Sequence, residues 1–141
     1  EVATPPGGLP EGMQVLGREH ADLLIEEMDE MLVELPPLTS FILPGGSTLL
    51  ANFHLARVMV RRLERAMVSL REAEGDDAVR DLALVYVNRL SDWCFVMGRW
   101  CALRLGEDEV LWKPLGHRGS TDGISGMLRL QRQHDDDVAD V

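Results

Sequence analysis

The chain has 141 residues, 45% of them hydrophobic, which suffices for one sizeable core and argues against two full domains. Its formal charge of -10 disfavours a nucleic-acid partner, because acids crowd both ends: residues 1–36 hold nine against Arg18 alone, and Asp135, Asp136, Asp137 and Asp140 close the chain. No run of 18 apolar residues and no secretory opening occur, so a membrane span is excluded and a cytoplasmic protein is predicted.

The opening Thr4-Pro5-Pro6-Gly7-Gly8-Leu9-Pro10 cannot hold a helix or strand, so residues 1–12 read as an extended arm ahead of a helical core over 13–106. From about Met13 to Leu35, Leu16, Leu23, Leu24, Met28, Met31 and Leu32 recur near helical spacing with acids between them. This predicts an amphipathic helix stopped by Pro36-Pro37. Leu38 to Gly46 reads as a loop in which Pro44-Gly45-Gly46 permits a tight turn, with Ser47 capping a helix over about Thr48 to Glu74. Gly75-Asp76-Asp77 reads as a turn with a built-in N-cap for a third helix, about Ala78 to Leu105, ended by Gly106. That helix is apolar nearly all round and is expected to be the most buried. Residues 107–141 read as a partly mobile extension: a short extended piece at Val110 to Trp112, a glycine-rich stretch over 116–126, a weak helix at Met127 to His134 and a disordered acidic tail.

No segment alternates like a strand, so the predicted fold is an all-α helical bundle. Three long helices make a marginal bundle, and either a further helix from outside this chain or oligomerisation is needed to cover the exposed faces. Cys94 and Cys101 lie about 10 Å apart along one helix, too far for a disulfide, and read as reduced core residues. Two cysteines without clustered histidines also fall short of a zinc signature, so no metal site is predicted. Met28, Met31, Met59, Met67 and Met97, with Trp93, Trp100 and Trp112, read as packing residues.

The second helix breaks the acidic pattern, since residues 47–71 hold Arg57, Arg61, Arg62, Arg65 and Arg71 against Glu64 alone. Lys113 is the only lysine, so nearly all positive charge is guanidinium, which suits paired contacts with phosphate or carboxylate. Arg57, Arg61 and Glu64 fall at i, i+4 and i+7 on one face, with His54 one turn earlier. Such a row can hold a polyphosphate while Glu64 orients one guanidinium. A solvated face of i,i+4 pairs explains the spacing equally well. Arg62 and Arg65 point partly elsewhere, and a lone His54 is most simply a satisfied core or interface residue. On the third helix Asn88, Asp92, Phe95 and Arg99 share a face. Burying the first two unpaired would cost on the order of 1–3 kcal/mol each, so they are expected to meet the arginine face or a ligand, interhelical salt bridging being the alternative. From residues alone, the sequence describes a helical domain that binds a phosphorylated ligand.

Phe41-Ile42-Leu43-Pro44-Gly45-Gly46-Ser47, His54-Leu55-Ala56-Arg57, Arg61-Arg62-Leu63-Glu64-Arg65 and Tyr86-Val87-Asn88-Arg89-Leu90-Ser91-Asp92, in this order, resemble the ATP:cob(I)alamin adenosyltransferases of the propanediol-utilisation type. Val110-Leu111-Trp112-Lys113-Pro114 resembles the family's closing segment. The resemblance implies a trimeric helical bundle that transfers the 5′-deoxyadenosyl group of MgATP to cob(I)alamin and releases triphosphate. By motif position, Phe41 is implied as the wedge that excludes the lower axial ligand and traps a base-off corrinoid reducible by a flavoprotein reductase. Leu43, Pro44, Gly45 and His54 belong to the implied binding set. Arg61 would grip the ATP phosphates and stabilise the leaving triphosphate. Arg57 would pair with an acid near the ATP loop, Arg62 and Glu64 complete the arginine motif, and Asn88 and Asp92 would orient nucleotide and arginines. No general base is implied, because cobalt(I) attacks carbon directly. The family's N-terminal Thr-Gly-Asp-Gly-type ATP loop and first helix have no counterpart here, and a binding-only bundle for a corrinoid or nucleotide is the alternative expectation.

Overall fold

The computed structural model describes residues 4, 8, 10–13 and 15–113; the sequence expectations for 116–126, 127–134 and the acidic tail lie outside the described residues. Contacts group the chain into Glu1–Val110 and Leu111–Val141, and the architecture below is that of the first unit.

Helix α1 spans Arg18–Glu34. It starts later than the apolar pattern predicts because Gly17 is its extended N-cap, with the Gly17 N–H donating to His20 Nδ1 at 3.0 Å. The buried residues Ala21, Leu24, Met28 and Met31 follow i, i+3, i+7, i+10, a single narrow stripe. Leu23 and Leu32, expected in the core, flank that stripe and are exposed. The helix stops two residues before Pro36, as steric exclusion from the α region ahead of proline requires.

Helix α2 spans Thr48–Glu74, the predicted bounds. Its cap differs from expectation: Ser47 sits at the N-cap position, yet its buried hydroxyl has no hydrogen-bond partner among the described residues, and the Ser47 N–H instead donates to Glu107 Oε2 at 3.0 Å. Helix α3 spans Asp81–Leu105 and follows a single 3-10 turn, Asp76–Ala78. The expected cap by Asp76 or Asp77 does not form, because Asp76 and Asp81 both accept from the Arg71 guanidinium at the end of α2. These two carboxylates, Asp81 foremost, hold the Arg71 pKa above its ordinary value. Gly106 ends α3 in the left-handed conformation, with its N–H bonded back to Ala102 and Leu103.

Helix α3 is the centre of the unit and the most buried helix, as its composition predicts; α1 and α2 both pack against it. Met67 of α2 meets Val79, Ala83 and Val87 at one end, so α2 and α3 run antiparallel. Met28 and Met31 of α1 meet Val96 at the other, where Trp93 Nε1 donates to Glu27 and Arg104 pairs with Glu34, so α1 and α3 run parallel. Cys94 is buried, Cys101 is half-buried, and both are free thiols. Met28, Met31 and Met67 are core residues as expected, whereas Met59 is exposed. It belongs to a run on α2 at alternating three- and four-residue spacing, Leu49, Asn52, Ala56, Met59, Leu63, Ala66 and Leu70, all facing solvent. No helix among the described residues is long and apolar enough to cross a membrane.

Candidate functional site

Two of the sequence motifs, Phe41–Ser47 and His54–Arg57, meet near the start of α2, with Val110 of the closing segment beside them. The connection from Pro36 to Ser47 passes over the junction of α2 and α3, and beneath it opens a cleft continuous with solvent. Leu43 and Gly45 from the connection, His54 and Arg57 from α2, Phe95 from α3 and Glu109 beyond α3 are among its walls. Two close approaches shape it. Gly46 adopts φ +91°, where a side chain would be strained and a Cβ would lie 2.8 Å from Leu50 Cδ1. At Gly98 a Cβ would lie 3.2 Å from Phe53 Cβ, so the missing side chain lets α2 and α3 draw together at the cleft floor.

Arg57 and Arg99 are the arginines of the cleft, and Arg57 is the one without a carboxylate partner among the described residues. Its guanidinium carbon lies 5.0 Å from the Phe95 ring centroid, and its buried Nε has no hydrogen-bond partner among the described residues. An aromatic face attracts the cation but accepts no directed N–H bond, so Arg57 keeps donor capacity for an anionic partner. Cys94 also lines the cleft. Burial pushes its thiol pKa up, and the Arg57 charge offsets part of that rise.

The expected row of Arg57, Arg61 and Glu64 with His54 divides into two environments. His54 and Arg57 enter the cleft, whereas Arg61 and Arg62 are exposed. Glu64 does not orient a guanidinium in this chain: its Oε1 accepts from Asn88 Nδ2 at 2.8 Å, joining α2 to α3. Asn88 therefore meets the arginine-bearing helix through its acid. Asp92 lies 3.6 Å from Arg89, one turn back on its own helix. Phe41 projects beside the cleft with 79% of its surface exposed. Leu43 donates its N–H to the Val110 carbonyl at 2.7 Å, so the predicted extended piece begins as expected.

Sequence reasoning missed the anchoring partners. Arg99 was placed on the face with Asn88 and Asp92, but it is 6% exposed and pairs elsewhere, with Nε 2.6 Å from Glu109 Oε1 and Nη2 2.8 Å from the Pro36 carbonyl. An arginine on the apolar face of a buried helix demands an acid partner, and Glu107-Asp108-Glu109 just past Gly106 is the signal for it. Among the described residues no group of three His, Cys, Asp or Glu converges to hold a metal ion.

A profile described as cobalamin adenosyltransferase matches residues 1–101. The chain is 44% identical over 97 residues to a corrinoid adenosyltransferase of Mycobacterium leprae (strain TN), covering 69% of this chain and 49% of that protein. It is 33% identical over 97 residues to the human corrinoid adenosyltransferase MMAB, covering 69% of this chain and 38% of that protein. The chain thus spans about half the length, or less, of such curated relatives. Among solved structures, a variant PduO-type ATP:corrinoid adenosyltransferase from Lactobacillus reuteri, complexed with cobalamin and ATP, superposes with TM-score 0.68 at 27% identity, covering 79% of this chain and 58% of that one.

Proposed function

The chain belongs to the cobalamin adenosyltransferase family, and from that membership we propose that it contributes the corrinoid and phosphate contacts for transfer of the 5′-deoxyadenosyl group from MgATP to cob(I)alamin. In this reaction a cobalt–carbon bond forms with the electron pair of cobalt(I), the bond from carbon to the triphosphate oxygen breaks, and triphosphate leaves as an anion. The observation that carries the reading is the cleft beneath the Leu43–Gly46 turn, where the buried Arg57 Nε still lacks an acceptor.

Arg61, one turn beyond Arg57 and exposed, is free to meet the phosphates and stabilises charge as it develops on the leaving group. Mg2+ enters with the nucleotide as counter-charge to the phosphates. Phe41 is the apolar wedge beneath the corrinoid, with Leu43, Pro44, Gly45 and His54 beside it. Its exposure supports the role, since a wedge must reach out of the protein's own core. Glu64 and Asn88 fix the separation of α2 and α3 behind the arginines, while Arg62 and Asp92 contribute at the rim. The exposed run from Leu49 to Leu70 on α2 supports assembly as a homotrimer, the electron donor is a flavoprotein reductase, and the site of action is the cytoplasm.

Anaerobic absorbance and electron paramagnetic resonance spectra of cob(II)alamin with MgATP test the reading. A four-coordinate signal, followed by adenosylcobalamin on reduction, is expected. Arg61→Ala should abolish turnover while helical circular dichroism persists. Phe41→Ala should leave MgATP affinity intact and deplete the four-coordinate form. Loss of both properties together in Phe41→Ala contradicts the wedge role, and MgATP binding without product in the unaltered protein leaves binding alone.

A further inference from the structure

Within the segment Glu107–Val110, Glu107 and Val110 bond directly to the Pro36–Ser47 connection and Glu109 acts on it through Arg99, so that it is pinned at its beginning, middle and end. At the beginning, the Pro36 carbonyl accepts from Arg99 Nη2 at 2.8 Å, and the same guanidinium is held by Glu109, Nε to Oε1 at 2.6 Å. In the middle, Leu43 N–H donates to the Val110 carbonyl at 2.7 Å. At the end, Ser47 N–H donates to Glu107 Oε2 at 3.0 Å. Gly46 makes room for that last contact, since a Cβ there would stand 3.3 Å from the same carboxylate oxygen.

The physical need for such anchors is plain. The connection contains Pro36, Pro37 and Pro44, belongs to no helix, and presents the exposed ring of Phe41. A segment of this kind has a broad conformational ensemble, and each bond to a rigid element removes part of it. Arg99 supplies the rigidity, because it projects from the most buried helix and is itself 6% exposed. A guanidinium so placed is costly without its full complement of acceptors, so Glu109 and the Pro36 carbonyl hold their positions together.

We propose that Arg99, Glu109 and Glu107 are positioning residues that set the pose of the Phe41 loop over the cleft, and so govern formation of the base-off corrinoid by holding that loop. This rests on the proposed role of Phe41. The brace also couples the corrinoid side of the site to the end of α3.

The test compares the unaltered full-length protein with Glu109→Gln and Glu107→Gln, each of which keeps side-chain size and removes the charge. Three readouts are taken: amide hydrogen exchange at Leu43 and Ser47, the fraction of four-coordinate cob(II)alamin formed with MgATP, and the MgATP dissociation constant. Exchange at Leu43 and Ser47 is expected to rise about tenfold while amides in the middle of α3 stay protected. The four-coordinate fraction should fall severalfold, with MgATP affinity changed by less than about twofold and Glu109→Asp restoring part of the signal. If Glu109→Gln does not fold, Glu107→Gln and Glu107→Ala decide, since the first weakens and the second removes one cap on a part-buried surface. Faster exchange with an unchanged four-coordinate fraction would overturn the positioning role, as would unchanged exchange. An unaltered protein that forms no four-coordinate species overturns the functional reading itself, a result distinct from loss confined to the variants.

Discussion

Helices α2 and α3 lie side by side with similar lengths, yet they handle charge and apolar surface in opposite ways. α3 buries Ser91, Cys94 and Arg99 along with its aliphatic residues, and its one buried cation is neutralised by Glu109. α2 buries only Leu50 and Met67, leaves Arg61, Arg62 and Arg65 in solvent, and exposes aliphatic side chains on its outer face. α3 therefore holds the unit together, while α2 holds a cleft on one side and offers surface on the other. The same residue type is structural on one helix and available for chemistry on its neighbour.

The largest expected break in this comparison comes from arginine. Removing Arg99 as Arg99→Ala leaves the half-buried Glu109 carboxylate and the Pro36 carbonyl without their donor and empties a buried site, so unfolding in urea should lose about 3–5 kcal/mol. Arg62→Ala should stay within about 0.5 kcal/mol in the same measurement. Methionine gives the next contrast. Met67 is 1% exposed, and Met67→Ala is expected to cost about 2–5 kcal/mol. Met59 is 52% exposed, so Met59→Ala should barely alter unfolding of the single chain and instead weaken association in sedimentation. Equal losses at the two methionines would erase the distinction between the faces of α2.

Smaller effects sharpen the seam between the helices. Gly98→Ala pushes a methyl group to 3.2 Å from Phe53 Cβ, and about 1–3 kcal/mol of overpacking should appear as a lower midpoint in urea. The smallest effect is alkaline. Burial raises the Cys94 pKa in the folded chain, so the unfolded chain releases this proton first as pH climbs above about 8.5. The contribution of the neutral thiol is complete below the unfolded pKa and is lost as pH rises towards the folded one. Cys94→Ala should flatten that part of the stability profile, and unfolding at successive pH values between neutral and strongly alkaline checks it.

Local chemistry made α2 legible in the sequence: Pro44-Gly45-Gly46 and Gly75 cannot lie inside a helix without cost, so its bounds agree with expectation at both ends. The start of α3 was misplaced because Asp76 and Asp77 look like caps until Arg71, at the far end of the preceding helix, is seen to draw in Asp76 and Asp81. In the site, spacing correctly put His54 and Arg57 on one face. It could not assign Glu64 to Asn88 rather than to an arginine, because that choice depends on the rotation of α3 against α2. The Arg99–Glu109 pair was hidden for the same kind of reason. Both residues are visible in the sequence, but their meeting depends on the reversal at Gly106.

The short turn between α2 and α3 also bears on the order of folding events. Two long helices joined across Asp76–Ala78 and latched by Arg71 form a hairpin whose contacts are close in sequence, so little loop entropy opposes their docking. Docking of α1 must instead close the whole α2–α3 hairpin into a loop, and the Arg99 brace can form only afterwards. Substitutions such as Val87→Ala are thus expected to slow refolding, whereas Met31→Ala should chiefly hasten unfolding. Chevron plots of the two variants decide it. The opening beneath Phe41 would then be the last part of the unit to take shape and the first to let go.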